Sequence, residues 1–393
     1  MPPVHAARRG TLSAKAAAEG ADAALITNLV NVRYLTGLAS SNAALLVPAS
    51  SVSGRASAAG GGAAGSGGPG EPGGTTDRPA DGPLLATDSR YALAAERDAP
   101  DVELIVDRRI EAALAHQAVR RGYRRVLFEA HEMTVERYQA MAAALGGQAD
   151  GFELAPLGRY VEKMREVKDE EELALLRTAC ELSSRALEDV LPAIRPGVTE
   201  RQVAAALEQR MVELGAEKPG FDTIVASGPN GAIPHHVPTG RPIELGDLVV
   251  IDFGARYGGY HADMTRTVCV GEPAAWQRDL YQLVAAAQRA GAAAARTGAG
   301  LGAVDASARD LIADAGHGGH FQHGLGHGVG LEVHEEPLIS AGRTGKLGDR
   351  VPVTIEPGVY LPGKGGVRIE DTLAVRAEKT ETLTTFTKDL LVL

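Results

Sequence analysis

The sequence predicts an α/β (α+β) chain of two domains, the second built as a pseudo-two-fold repeat of helices and hairpins. Three observations carry this expectation. At 393 residues the chain exceeds one ordinary hydrophobic core, and 44% hydrophobic residues leave ample material for two. Short β-rich runs alternate with helical patterns through residues 1–158, as in a sheet covered by helices. Beyond them, "LGDLVVIDFG" at 245–254 and "LGDRVPVTIEPG" at 347–358 share Leu-Gly-Asp, a β-rich run, an acid and a glycine. A helix-rich stretch precedes each copy, 169–215 and 276–316.

In chain order, an amphipathic N-terminal helix leads into "AALITNLVNVRYLTG". The runs "AALLV" (43–47) and "PLLAT" (83–87) read as the two strands of one hairpin. Between them, residues 49–83 are built mostly from Gly, Ala, Ser and Pro with no large apolar residue after Val52, too little to offset the entropy of ordering. They are expected to be a disordered insertion within the domain, tolerated because loop closure costs grow only logarithmically with length. A helix near 88–98, a strand at 102–107, another helix, a strand at 125–130 and a helix near 134–146 complete the domain 1–158. The second domain, 159–393, opens at the charged "VEKMREVKDEEEL" with a long helical pattern that sets Leu173, Leu176, Cys180 and Leu187 on one side. "RPG" at 195–197 ends it, and "TERQ" fits the capping box of a new helix at Thr199.

The net charge of −10 and pI near 5.6 give no electrostatic footprint for nucleic acid. Two cysteines, Cys180 and Cys269, fit a reducing compartment and argue against a disulfide framework. No run of about 18 apolar residues proposes a membrane span. These features place the chain in the cytoplasm.

Residues 321–337, "FQHGLGHGVGLEVHEEP", set His323, His327 and His334 among Gly324, Gly326, Gly328 and Gly330. Eight of the eleven histidines fall between His235 and His334. An i, i+4 pair such as His323 and His327 shares a helix face. Glycine, however, costs roughly 1 kcal/mol relative to alanine in a helix interior, so the stretch reads as extended or looped chain approached closely by something else. Carboxylates that would complete a site stand on two hairpins. In "GDLVVIDFGARYGGYHADMTRTVCV", Tyr257-Gly258-Gly259 supplies the turn, so Asp252 and Asp263 share a face; a loop centred between 257 and 258 sets them directly opposite. In "VTIEPGVYLPGKGGVRIEDTLAV", a turn centred near Gly363 brings Glu356 opposite Glu370. Acids opposed in apolar flanks need positive charge between them. Four carboxylates and one imidazole fit two divalent metals at the roughly 3.5–4 Å separation of two-metal hydrolases.

"PHHVPT", "GDLVVIDFGARYGGYHADMTRT", "HGLGHGVGLEVHE", "TIEPGVY" and "VRIEDT", in this order, strongly resemble the Xaa-Pro dipeptidase and aminopeptidase P members of the pita-bread metallopeptidases, over residues 160–393. "LITNLVNVRYLTG" and "LLATDSRY" resemble the creatinase-like N-terminal domain of that family more weakly. The resemblance implies a pita-bread catalytic domain and a dinuclear exopeptidase that hydrolyses the Xaa-Pro bond of peptides or dipeptides. It makes Asp252, Asp263, His327, Glu356 and Glu370 the metal ligands, with Asp263 and Glu370 bridging. It assigns catalysis to His235, His334 and Glu356, and substrate contacts to His235, His323, His334 and Arg368. His323 is equally a structural candidate, Arg368 is expected to orient Glu370, and His236 is expected to be a solvated second histidine. The glycines would let backbone and substrate approach the metals beside His327.

Oxygen-rich ligation favours Mn2+, with Co2+, Fe2+ and Zn2+ also compatible. The expected partners are a peptide with proline at the second position and a second copy of the chain, with no nucleic acid and no membrane. Two alternatives stand beside this: a creatinase-type C–N hydrolase, which lacks these ligands, and a non-catalytic pita-bread binding protein.

Overall fold

The structure, a computed structural model, describes residues 2–50, 82–145 and 151–393. Two compact units divide it, Met1–Val161 and Glu162–Leu393. In the first, the strand Ala23–Ile26 pairs antiparallel with Ala43–Pro48 and parallel with Arg125–Phe128. Ala43–Pro48 pairs in turn with Leu84–Thr87, with Leu46 opposite Leu84, so the two apolar runs are arms of one hairpin. Of residues 49–83, expected to be disordered, 51–81 lie outside the described residues. Glu103–Val106 and Glu153–Pro156 extend the sheet in parallel at its two edges. The last strand went unread in the sequence: four residues of which only Ala155 is buried, ending in proline, offer no period to detect. Leu25, Leu46, Leu84, Leu114, Val126 and Met141 close the core of this unit.

The second unit repeats one arrangement twice. Helices Glu170–Val190 and Glu200–Glu213 cover the strands Leu248–Phe253 and Met264–Cys269, burying Leu187, Leu207, Val249, Ile251 and Val268 together. Helices Ala275–Ala294 and Leu301–Asp314 cover Val351–Ile355 and Asp371–Val375, burying Val284, Val304, Ile312, Val353 and Leu373. Thr199 caps its helix in a capping box with Gln202. The first long helix starts later than its charged prelude suggested, because the Asp169 carboxylate accepts from the Glu172 amide and fixes the N-terminus there. Residues Tyr160–Glu166 form a separate short helix. Among the described residues no helix is long and apolar enough to cross a membrane.

The two hairpins turn differently. In the first, Gly258 (φ +58°) and Gly259 (φ +87°) make a two-residue turn, closed by Tyr257 opposite Tyr260. Such a turn needs positive φ at both central positions, which only this Gly-Gly pair supplies without strain. The turn is therefore centred between residues 258 and 259. Asp252 faces Thr265, and Asp263 lies diagonal to Asp252 on the same face, so the two acids share a face without direct opposition. In the second hairpin Leu361 pairs with Gly365 around Gly363. Ile355 pairs with Asp371 in the same register, which sets Glu356 opposite Glu370.

Candidate metal centre

Both hairpins are interrupted where the acids stand. Asp263 occupies the break between Tyr260–His261 and Met264–Cys269, Glu356 follows Val351–Ile355, and Glu370 sits between Gly365–Arg368 and Asp371–Val375. His327 enters from the strand Gly326–Gly328, which lies between Glu335–Ile339 and Val351–Ile355. Asp252, Asp263, His327, Glu356 and Glu370 line one cavity of about 390 Å³ with His235, His323, His334 and Arg368. All nine residues singled out in the sequence meet there. Phe221, Ile224, Val333 and Leu338 give the same cavity an apolar wall.

Electrostatics at the centre is unfavourable for protein atoms alone. Asp263 and Glu370 are 4% and 1% exposed. Burial, reinforced by Glu370, Asp252 and Glu356, holds the Asp263 carboxyl well above the usual carboxylate range. Burial, then Glu370, does the same to Glu356. Burial, then Asp252, pushes Glu370 up to about 8. The ligand atoms of Asp263, His327 and Glu370 lie within 4.8 Å of one another. The Oδ1 atom of Asp252 is buried and lacks a hydrogen-bond partner among the described residues. Crowded carboxylates and an orphaned buried oxygen form a donor set that divalent metal ions would fit.

The imidazole is prepared for the same purpose. His327 Nδ1 faces the Gly328 carbonyl at 3.0 Å and must donate to it, leaving the Nε2 lone pair 3.5 Å from Glu356 Oε1 and 3.6 Å from Asp263 Oδ2. Burial, then His334, lowers its pKa to about 4, so the ring is neutral and able to ligate. The His334 ring packs edge-on against it, with centroids 4.4 Å apart. His334 and His235 are the exposed members of the set.

Three expectations need correction. Arg368 donates to Asp252 Oδ2 at 2.6 Å, not to Glu370; it reaches Glu370 only through Thr265, whose hydroxyl donates to Glu370 Oε2 at 2.7 Å while accepting from Arg368 Nε at 3.0 Å. Asp252 and Arg368 come from different sheets that meet here, and the Glu370 carboxylate takes its hydrogen bond from the Thr265 hydroxyl instead. Both nitrogens of His323 are occupied, Nδ1 by the Gly324 carbonyl and Nε2 by the Tyr360 hydroxyl, each at 2.8 Å, and Tyr360 also accepts from Arg368 at 2.9 Å. These groups hold one another and leave no polar atom of His323 for substrate. The glycines admit backbone: a Cβ on Gly326 would collide with the Thr354 carbonyl, and one on Gly328 with that of Glu336.

His236, finally, is not solvated. It is 8% exposed and pairs with the fully buried Glu200 at 2.9 Å. Sequence reasoning missed Glu200, Thr265 and Tyr360. The last two carried a signal, since Tyr360 alternates with Glu356 and Thr265 with Asp263 along their chains.

The class this fold and site define is the metallopeptidase: a two-part chain whose second part gathers carboxylates and a neutral imidazole at the base of a cleft. Residues 174–377 match Metallopeptidase family M24, and residues 8–54 and 65–167 match the Creatinase/Prolidase N-terminal domain. The chain belongs to metallopeptidase family M24 and has its pita-bread fold behind a creatinase-like domain. It is 36% identical to an uncharacterized peptidase of Bacillus subtilis over 95% of this chain and 96% of that one. It is 44% identical to an Xaa-Pro dipeptidase of Pyrococcus furiosus over 61% of this chain and 69% of that one. Among solved structures, an Xaa-Pro dipeptidase from Bacillus anthracis superposes with a TM-score of 0.86 at 34% identity, covering 99% of this chain and 100% of that one. An X-Pro aminopeptidase from Thermotoga maritima gives 0.81 at 32% identity, covering 95% and 98%.

Proposed function

We propose that the protein hydrolyses the bond before proline in Xaa-Pro dipeptides or at the N-terminus of peptides. Two divalent ions would be held by Asp252, Asp263, His327, Glu356 and Glu370, with Asp263 and Glu370 shared between them. The observation that carries this is the accumulation of buried acids around one neutral imidazole, with Asp252 Oδ1 unsatisfied. When bound, such ions lower the pKa of a water toward about 7 and polarise the scissile carbonyl.

The chain's own residues do the rest. Glu356, half-buried at the cleft, takes the proton of the attacking water and passes it to the leaving imino nitrogen. His235 and His334, at the exposed side of the cavity, donate to the oxygen that gains charge. Arg368 and His323 act indirectly, by fixing Asp252 and Tyr360. Phe221, Ile224, Val333 and Leu338 offer apolar contacts to a pyrrolidine ring or its neighbour.

Manganese is the favoured ion because four of five donors are carboxylates. A cytoplasmic location is supported by two buried free cysteines. A homodimer completes the reading.

The test is Asp263→Asn. It should lose metal, measured by elemental analysis, together with hydrolysis of Xaa-Pro and Xaa-Pro-Xaa peptides. Full activity with two ions per chain would refute the shared-ligand assignment.

A further inference from the structure

Glu200 is the first residue of its helix, and its carboxylate is 0% exposed. A charge at that depth is costly unless hydrogen bonds replace its lost water. They do. Oε1 accepts from the Ser227 amide and hydroxyl, both at 2.8 Å, and from Asn230 at 2.9 Å. Oε2 accepts from the Thr239 amide at 3.0 Å, the Thr239 hydroxyl at 2.7 Å and His236 Nε2 at 2.9 Å. Burial alone would raise this carboxyl, but these donors hold it down to about 2.

All six bonds come from residues 227–239, so one carboxylate ties both ends and the interior of a single segment. That segment carries His235. Beyond the short turn Gly228–Ala232 it has no regular structure, and no hydrogen bond within the described residues holds the His235 ring. The direction of His235 is therefore set by its backbone, pinned on one side where Arg368 donates to the Pro234 carbonyl at 3.3 Å and on the other where His236 is drawn into Glu200. With His236 committed to the interior, its neighbour faces the cavity.

We propose that Glu200, acting through His236, is a positioning residue that aims His235 at the cleft. This rests on the catalytic role given to His235 above. The effect expected is that of misplacement, where an error of about 1 Å costs up to about 100-fold.

The test uses the metal-loaded full chain and one Xaa-Pro peptide. Glu200→Gln should lower kcat by about 10-fold or more with KM within about threefold and metal content unchanged. His236→Leu should match it, and His236→Gln, which keeps a donor, should restore most of the rate. In a His235→Ala background, Glu200→Gln should cost less than about twofold, because residues acting through one another are not additive. Additive losses would overturn the proposal, and so would a His236→Gln as slow as His236→Leu. If Glu200→Gln does not fold, the His236 pair decides alone. Amide hydrogen exchange gives a readout independent of turnover: residues 228–240 should exchange faster in His236→Leu than in His236→Gln, and equal protection would overturn the anchor. A fully active His235→Ala would instead refute the catalytic role of His235, while the exchange result would still report on Glu200.

Discussion

The glycines beside His327 allow a graded test of what holds the metal centre in place. Gly326 does not have positive φ, so alanine there is opposed by space and not by backbone conformation. Its Cβ would lie about 1 Å inside the 3.0 Å that real Cβ atoms keep from such an atom, against the backbone carbonyl of Thr354. That carbonyl belongs to a paired strand and cannot swing aside. The strand carrying His327 must yield, which draws the His327 amide away from the Thr354 hydroxyl to which it donates at 3.1 Å. Overpacking of this kind costs about 3 kcal/mol or more, equivalent to a fall in Tm of roughly 6–12 °C. Displacing a ligand by about 1 Å should cost on the order of 100-fold in kcat. Gly324→Ala meets the Ile339 carbonyl at 3.0 Å and should be mildly affected, and Gly319→Ala meets nothing within 4 Å and should be silent. Thermal melts, metal content and turnover on an Xaa-Pro peptide measure the series. Gly326→Ala with full activity and both ions, or Gly319→Ala as damaging as Gly326→Ala, would refute the reasoning.

The metal-free protein should lose stability as pH rises from about 7 to 8. Glu370 has a folded pKa near 8, above its ordinary value of 4.5, so its stabilising contribution is complete below 4.5 and is lost as pH climbs to 8. The neutral histidines act in the opposite direction only below about 6.5, outside this window. Added Mn2+, or the substitution Glu370→Gln, should flatten the slope; an equally steep melt profile in Glu370→Gln would contradict it. Replacing residues 51–81 by a short Asn-Gly turn should preserve turnover and melting temperature, because Ala43–Pro48 and Leu84–Thr87 already pair as a hairpin. Loss of activity in a folded variant would assign that segment a part in the chemistry.

What the sequence disclosed and what it withheld follow from the range of the interactions involved. Glu356 and Glu370 were legible as a facing pair because a period-2 chain folded at Gly363 leaves no other register that buries Val353, Ile355 and Leu373. In the first hairpin consecutive glycines could turn at either of two places, and only the finished backbone selects Gly258-Gly259. Asp252 and Asp263 share a face in both registers, so the acids could be found although their opposition could not. His235 and His236 are a harder case. Adjacent histidines on an irregular segment have no period, and what separates them is a carboxylate at position 200 that sequence marks only as a favourable helix-start residue. The same logic governs His334. Its neighbour Glu335 is buried against Arg165 at 2.5 Å and Lys168 at 2.8 Å, residues more than 160 positions earlier. In both loops an exposed histidine stands beside a buried neighbour bonded to a charged side chain far back in the sequence. The neighbour's partner lies on a helix, or just before one, at the start of the domain. The acids that would hold metal are written locally in strands, whereas the aim of each histidine depends on where the opening helices of the second domain come to rest.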